Sequence, residues 1–507
     1  MKMKTIFSLS KDGRSEYCCS VVKIGTLKHI ENSDFLAETI INGQTAIVRK
    51  DQVKEGDLMF YAPNETQLSK KFLSRNNLFD IGHYYLNSNK KEVKDLLNTA
   101  NKLENELLSN SYKEQAKKKC GFFSANGRVR MIKLKKRPSY GYLFTVQEMI
   151  NFCPKTKNIN MEDYLNVDFD TVNGDIFIQP YIPPLPKTNE DNGLSKKHKS
   201  QQKKIDKYDR MIAGEFFLHY DTKPLGKNLE LFSPEDSVTI SVKLHGTSFI
   251  LANVKTKEFI KLPLCKRVIN FIIDNTKILK KYRFKDYKVV YDNIYSSRTV
   301  IKNRTLNPNV SDGFYNTDIW KEYHDLLEGK VKKGITLYGE IVGYISDSNK
   351  FIQSQYDYGC KVGENKLMPY RITSSLEDGS KYEWTVNEVK QWTENLINDY
   401  PTLKNKIITI PILYHGNLKD LYPNLDIQHH WHENLMELLK NDKEHFGMEL
   451  LEPLCKNKVY REGICIRKNN DTIAECFKLK TDAFFTYEQK AIDKGNVDIE
   501  MNDNYSN

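Results

Sequence analysis

DSVTISVKLHGTSFIL, residues 236–251, alternates apolar and polar side chains and then breaks at a glycine. In an extended strand Val238, Ile240 and Val242 share one face, and Thr239, Ser241 and Lys243 share the other. The apolar row can pack into a core while Lys243 points into a polar cleft at the strand's end. Gly246, three residues on, lets the backbone come close to a bound ligand. Lys-x-x-Gly alone is weak, because a lysine-rich chain produces several by chance, and an ordinary exposed strand lysine is the plainer reading of it.

Three further segments change that balance. ITLYGEIVG (335–343) places Glu340 inside an apolar strand, where a carboxylate needs a partner such as a structural arginine or a ligand hydroxyl. YREGICIR (460–467) puts Glu462 before a glycine and a β-rich run. DTIAECFKLK (471–480) sets Lys478 and Lys480 on one strand face, with Phe477 and Leu479 on the other. The turn-forming KNND at 468–471 predicts a hairpin that brings the Glu462 carboxylate near two ammonium groups. Each half is unremarkable alone; together with the Lys243 segment they are specific.

In chain order these are KLHG at Lys243, SSRT around Arg298, YGE at Glu340, PYRI around Tyr370, EGICIR at Glu462 and KLK at Lys478 and Lys480. The series resembles the motifs of the covalent nucleotidyltransferase superfamily, which holds DNA ligases, RNA ligases and mRNA capping enzymes. Within it, HGTS after the lysine looks like the RNA ligases, since the other branches usually carry Asp at the position of His245. FFLHYDT (216–222) and a strand-rich N-terminus resemble the nick-sealing RNA ligase branch, whose OB domain precedes the catalytic one. The chain ends soon after Lys480, too early for the C-terminal OB domain of DNA ligases and capping enzymes; this leaves open what replaces their pyrophosphate-orienting motif.

The resemblance implies an α+β fold: an ATP-grasp-like adenylylation (nucleotidyltransferase) domain of antiparallel sheets with flanking helices, preceded by an OB-type β-barrel with a helical insert. It implies that Lys243 carries AMP, that Lys478 and Lys480 hold phosphates and lower the Lys243 pKa, and that Glu462 lies nearest a magnesium (or manganese) ion. It assigns Glu340 to the ribose, Arg298 to a phosphate or the ribose, Tyr370 to adenine stacking, and His245 and Gly246 to the nucleotide. ATP is then the cofactor, and RNA with 3′-OH and 5′-phosphate ends, as in a nicked duplex, is the substrate. The alternatives are a capping guanylyltransferase, a DNA ligase, or a non-catalytic RNA-binding protein with a decayed pocket.

Outward from this core the chain reads as four parts. Residues 1–185 alternate short apolar runs and turns at 18–62 and 127–148, as in a small OB-type barrel. Between them a helical insert at about 82–118 carries Val93, Leu96, Leu97, Ala100, Leu103 and Leu107 on one stripe. Residues 186–208 crowd proline and lysine into a linker, 209–480 form the adenylylation domain, and 481–507 a short tail. GRVRMIKLKKR (127–137) offers Arg128, Arg130, Lys133 and Lys135 as an RNA phosphate track, an ordinary soluble strand face being the equal alternative.

Composition agrees without deciding. The 77 Lys+Arg outnumber 66 Asp+Glu, a net charge of +11 that suits a polyanionic partner. Nine cysteines without C-x-x-C spacing predict reduced thiols rather than a disulfide frame or zinc ribbon. His429, His430 and His432 open a helix, and their spacing does not converge on one metal ion. No signal peptide or membrane span is expected, nor an obligate protein partner. The expectation is a soluble cytoplasmic protein, with a Lys-, Asn-, Ile- and Tyr-rich composition in keeping with an AT-rich, virus-like genome.

Overall fold

The alternation at 237–243 folds as a strand whose Val238, Ile240 and Val242 are buried while Lys243 stays partly open. The computed structural model describes residues 6–182, 208–276, 282–305 and 318–493, apart from positions 12, 32, 221, 377, 470 and 471. The expected linker therefore lies outside the described residues up to position 207, as do residues 494–507 of the expected tail. The chain divides into two compact units, Met1–Pro183 with Pro224–Leu229, and Pro184–Lys223 with Glu230–Asn507.

The second unit is built on two antiparallel sheets. Its strands are β1 (Ser237–Lys243), β2 (Thr247–Phe259), β3 (Tyr287–Ser296), β4 (Ile335–Gly343), β5 (Asn365–Ser375), β6 (Lys381–Glu383), β7 (Ile412–Asn417), β8 (Gly463–Lys468) and β9 (Cys476–Lys480). One sheet runs β9-β8-β1-β7 and the other β3-β2-β4-β5-β6. Only Leu244, His245 and Gly246 separate β1 from β2, so the chain steps from one sheet to the other across three residues. The β3-β2-β4-β5-β6 sheet buries Phe249, Leu251, Leu337, Ile341, Leu367 and Ile372 in one core with residues of helices Ile319–Leu327 and Val386–Asp399. The second of those helices starts at a reciprocal capping box between Thr385 and Glu388, which satisfies donors that a bare helix end leaves open. Mixed α+β structure with antiparallel sheets and flanking helices is thus what the chain adopts.

The first unit holds four small antiparallel sheets and a two-stranded hairpin; among the described residues they do not close into a barrel. Its largest sheet orders Tyr142–Phe144, Leu58–Ala62, Cys19–Lys23 and Asp168–Phe169 around a core rich in phenylalanine. The insert corrects the single-stripe reading. It forms two helices, Lys90–Lys102 and Glu106–Lys118, separated at an extended Leu103, with the Asn105 side chain capping the second. Val93 and Ala100 are buried as expected, but Leu107 lies past the break and is 83% exposed.

Arg128 is a second correction. Its guanidinium is buried, pairs with both Glu65 oxygens at 2.9 and 2.8 Å, and lies 4.9 Å from the Tyr181 ring centroid. Alternation along the basic stretch promised an outward arginine, but Arg128 joins a two-residue strand paired to Thr66–Leu68, beside Glu65. Arg130, Lys133 and Lys135 remain exposed. Lys135 and Lys136 form the two-residue turn of the Ile132–Leu134/Arg137–Ser139 hairpin, both with the left-handed φ that such a turn requires.

All nine cysteines are free thiols. His430 caps the helix Trp431–Asn441 from a left-handed conformation, while His432 contacts the Phe232 carbonyl at 3.0 Å and His429 lies by Asp426, so the three rings diverge. Among the described residues no helix is long and apolar enough to cross a membrane. Replacing Arg128 by Ala strands Glu65 in a partly buried site and should cost about 3 kcal/mol. Lys135→Ala, on an exposed turn, should change stability by no more than about 0.5 kcal/mol. Urea melts of the two variants check the contrast, and equal midpoints would remove the structural role given to Arg128.

Candidate active site

Strand register brings the charged groups together. β1, β8 and β9 lie side by side, with Lys243 opposite Gly463 and Gly463 opposite Lys480. Glu462 precedes that glycine and is held at the same level, because Thr481 N–H donates to its carbonyl at 2.9 Å. Gly463 has a φ of +152°, and a Cβ there would sit 2.0 Å from the Leu479 carbonyl oxygen, so only glycine lets the chain turn here. The result is an ion pair of 2.8 Å between Lys243 Nζ and Glu462 Oε1, with Lys480 Nζ 3.4 Å from the same oxygen and His245 Nδ1 3.6 Å from Oε2.

The step between the sheets supplies the facing wall. Gly246 N–H donates to Glu340 Oε1 at 3.1 Å, and the Gly246 carbonyl accepts from Gln353 Nε2 at 2.9 Å. A Cβ on Gly246 would lie 2.4 Å from the Ile341 carbonyl oxygen and 2.8 Å from Glu340 Cγ, which explains the glycine. His245 N–H donates to the Tyr358 hydroxyl at 2.7 Å, and the His245 ring stands edge-on between Tyr356 and Phe484. Below these residues Val242, Leu244, Val342, Tyr358, Met368 and Phe484 form one apolar cluster that floors the site.

The remaining expected residues fall at different distances from this centre. Lys478 shares the β9 face of Lys480 and lies opposite Cys465. Tyr370 is the extra residue of a β-bulge, since Tyr338 pairs with Arg371 but Gly339 pairs with Pro369. It packs against the same apolar cluster, and its hydroxyl is 3.4 Å from His219 Nδ1, within FFLHYDT. Arg298 sits half-buried in the turn just after β3.

Electrostatics modify one expectation. Burial works against a charged Lys243 amine, and Lys480 adds to that, but the Glu462 carboxylate outweighs both and leaves the Lys243 pKa raised rather than lowered. Burial likewise pushes the Glu462 carboxyl up, yet Lys243, Lys480 and His245 together bring it down to about 2. Of the two lysines expected to activate Lys243, Lys480 does press its pKa down, but the carboxylate between Lys480 and Lys243 outweighs it.

Several contributors were hidden from the sequence because they meet only in the fold. Tyr358 and Gln353 brace the Leu244–Gly246 step from a loop with no motif of its own. Arg371 binds Glu383 at 2.9 Å and the Ala474 carbonyl at 2.9 Å, while Arg467 Nη1 lies 3.1 Å from Glu383, so a buried Arg–Glu–Arg group ties β5 and β6 to β8 and the approach to β9. Glu488, from the helix Asp482–Asp493 that opens the expected tail, reaches Lys480 at 3.1 Å.

A divalent ion fits this donor set in one manner. Glu462 Oε2 is buried and accepts no hydrogen bond among the described residues. No group of three or more His, Cys, Asp or Glu side chains there could cage a metal. An ion at Glu462 would complete its shell with water and substrate oxygens, as magnesium does.

Residues 236–481 match the model of the RNA ligase family. That stretch, just under half of the chain, is similar to an RNA ligase domain. The matched span begins just before β1 and ends just after β9, so it contains every residue of the charged cluster except Glu488. No curated protein matches the chain. Among solved structures, a lysine variant of Naegleria gruberi RNA ligase with ATP and Mn is similar at 13% identity and a TM-score of 0.48, covering 93% of this chain and 98% of that one. A glutamate variant of the same protein with AMP and Mn is similar at 14% and 0.49, covering 93% and 99%.

Glu462→Gln should lower the Lys243 pKa, because the carboxylate that raises it is lost while burial and Lys480 still press it down. Acylation of Lys243 by an amine reagent, followed by mass spectrometry across pH, should then begin at lower pH in the Glu462→Gln variant than in the wild type. A profile that stays put or moves upward contradicts the assigned balance.

Proposed function

We propose that the chain is an ATP-dependent RNA ligase that joins 3′-OH and 5′-phosphate RNA ends through lysyl-AMP and RNA-adenylate intermediates. The observation that carries this reading is the Lys243 amine at 2.8 Å from Glu462, at the end of a strand and flanked by Lys480 and the Gly246–Glu340 contact. Phosphoryl transfer depends on positioning and charge neutralisation, and this cluster offers both.

Lys243 Nζ, once deprotonated, attacks the α-phosphorus of ATP; a phosphorus–nitrogen bond forms, the bond to the bridging oxygen breaks, and pyrophosphate leaves. A 5′-phosphate oxygen of RNA then takes the AMP, and the Lys243 nitrogen departs and regains its proton. The 3′-OH finally attacks the 5′-phosphorus, expelling AMP and closing the strand. In this reading Lys478 and Lys480 hold phosphate oxygens, Glu340 the ribose hydroxyls, Tyr370 the adenine face, Arg298 a phosphate or the ribose, and His245 and Gly246 frame the nucleotide. Magnesium or manganese at Glu462 would neutralise phosphate charge, and drawing on that carboxylate would also free Lys243 from its ion pair.

Residues 209–480 serve as the adenylylation domain and 1–185 as the module that meets RNA, with Arg130, Lys133 and Lys135 contacting phosphates of a nicked duplex. Arg128 drops from that set. The role suits repair of RNA breaks by a cytoplasmic enzyme.

Incubation with ATP and magnesium should add one AMP to the wild type by mass spectrometry and none to Lys243→Ala; an equal adduct on the variant overturns the proposal. Labelling by GTP in place of ATP would move the chain to the capping branch. Sealing of a nicked duplex compared with single strands tests the substrate. Replacing Lys133 and Lys135 by Ala should weaken RNA binding at low salt and flatten the plot of log affinity against log salt by about 1–2. An unchanged slope removes these lysines from the interface.

A further inference from the structure

The helix Asp482–Asp493 is fixed against the site from three directions. The Glu449 carboxylate accepts the N–H groups of Asp482 and Ala483 at 2.6 and 3.0 Å, capping its first turn. Phe484 is fully buried and meets the His245 ring with centroids 5.0 Å apart. The Tyr487 hydroxyl donates to the Ser354 carbonyl at 3.0 Å. Glu488 lies one turn beyond Phe484, so it projects from the same face. Its two oxygens stand 3.1 and 3.3 Å from Lys480 Nζ.

Four charges of alternating sign therefore line up as Lys243, Glu462, Lys480 and Glu488. Glu462 is shared, at 2.8 Å from Lys243 and 3.4 Å from Lys480. Lys480 is also shared, and it lies nearer to Glu488 than to Glu462. Glu488 thus draws the Lys480 ammonium outward. Without that pull more of the ammonium's charge bears on Glu462, the carboxylate through which a divalent ion would enter, with the Phe484 and Phe485 ring centroids 5.0 and 5.7 Å from Lys480 Nζ.

We propose that Glu488 is a positioning residue that holds Lys480 at the wall of the nucleotide site and keeps its ammonium from occupying Glu462. This rests on the ligase reading above. It gives the segment after β9 a function in the adenylylation step, where sequence alone suggested only a tail.

The test uses the full chain and Glu488→Gln, which keeps the shape and removes the charge. Mn2+ uptake by the ATP-free protein, counted by electron paramagnetic resonance, should weaken roughly fivefold, as expected when a nearby cation competes for one carboxylate. The Mg2+ concentration giving half-maximal AMP adduct should rise by a similar factor, with a smaller change in the maximal rate. Glu488→Asp, one methylene shorter, should recover part of both effects. In a Lys480→Gln background, Glu488→Gln should leave Mn2+ uptake unaltered, because the cation it restrains is gone; this comparison also separates the effect from a general loss of fold. Equal Mn2+ uptake by wild type and variant, uptake by neither, or the same weakening in the Lys480→Gln background each overturn the inference. The Mn2+ arm needs no catalysis, so an absent AMP adduct on the wild type strikes the ligase reading and leaves this result to be judged by itself.

Discussion

The Glu462 side chain is 3% exposed, and the Lys243 ammonium 2.8 Å away is what permits it to be charged there. Neither group could be removed without stranding the other, so the backbone that delivers them must be held firmly. Strand register does most of this: Lys243, Gly463 and Lys480 are opposite one another on three adjacent strands, and a slip of one residue would turn Lys243 into the core. The glycine at 463 and the one at 246 are consequences of the same crowding, since each occupies a point where a methyl group would strike backbone. Local sequence, register and site chemistry are in this sense a single constraint.

Around the pair, other buried charges hold the frame. Arg461, next to Glu462, gives its guanidinium to Glu452 at 2.9 and 3.2 Å and to the Phe446 carbonyl at 2.6 Å. The Arg371–Glu383–Arg467 group reaches from one sheet to the other. Such buried groups add little net stability compared with apolar packing, but breaking one is costly, so they favour a single arrangement of the two sheets. That arrangement floors the Leu244–Gly246 seam with the aromatic side chains Tyr356, Tyr358 and Phe484.

What could be read from the sequence follows from distance along the chain. Lys243, Glu462 and Lys480 were legible because alternation fixes the face of each strand and the 460–480 hairpin brings carboxylate and ammonium together within one local unit. Tyr370 was legible as a residue, but not its bulge, which depends on how β4 pairs with β5. Glu488 was not legible: it acts through a helix whose placement depends on Glu449, His245 and Ser354 from three distant segments. Arg128 departs from the alternation because its strand has two residues, too short for the pattern to determine the face, and Glu65 lies beside it. Leu107 departs for a similar reason, since the apolar stripe continues through Leu103–Asn105 although the helix does not. In both cases the periodicity spans an interruption that only side-chain capping or strand pairing sets.

The buried carboxylates themselves separate scaffold from site. Glu452 engages Arg461 through both oxygens, and Oε1 also accepts the Leu454 N–H at 3.1 Å. Glu383 meets two arginines with one oxygen and accepts the Ala474 N–H at 2.8 Å with the other. Glu462 differs, because its Oε2 is buried without a hydrogen bond among the described residues, an omission costing about 1–3 kcal/mol. His245, at 3.6 Å, is too far to make that bond. Glu452 and Glu383 close the same valence with a guanidinium or a backbone N–H. Glu462 is thus held by charge, from Lys243 and Lys480 on one oxygen, where its two counterparts are held by hydrogen bonds on both.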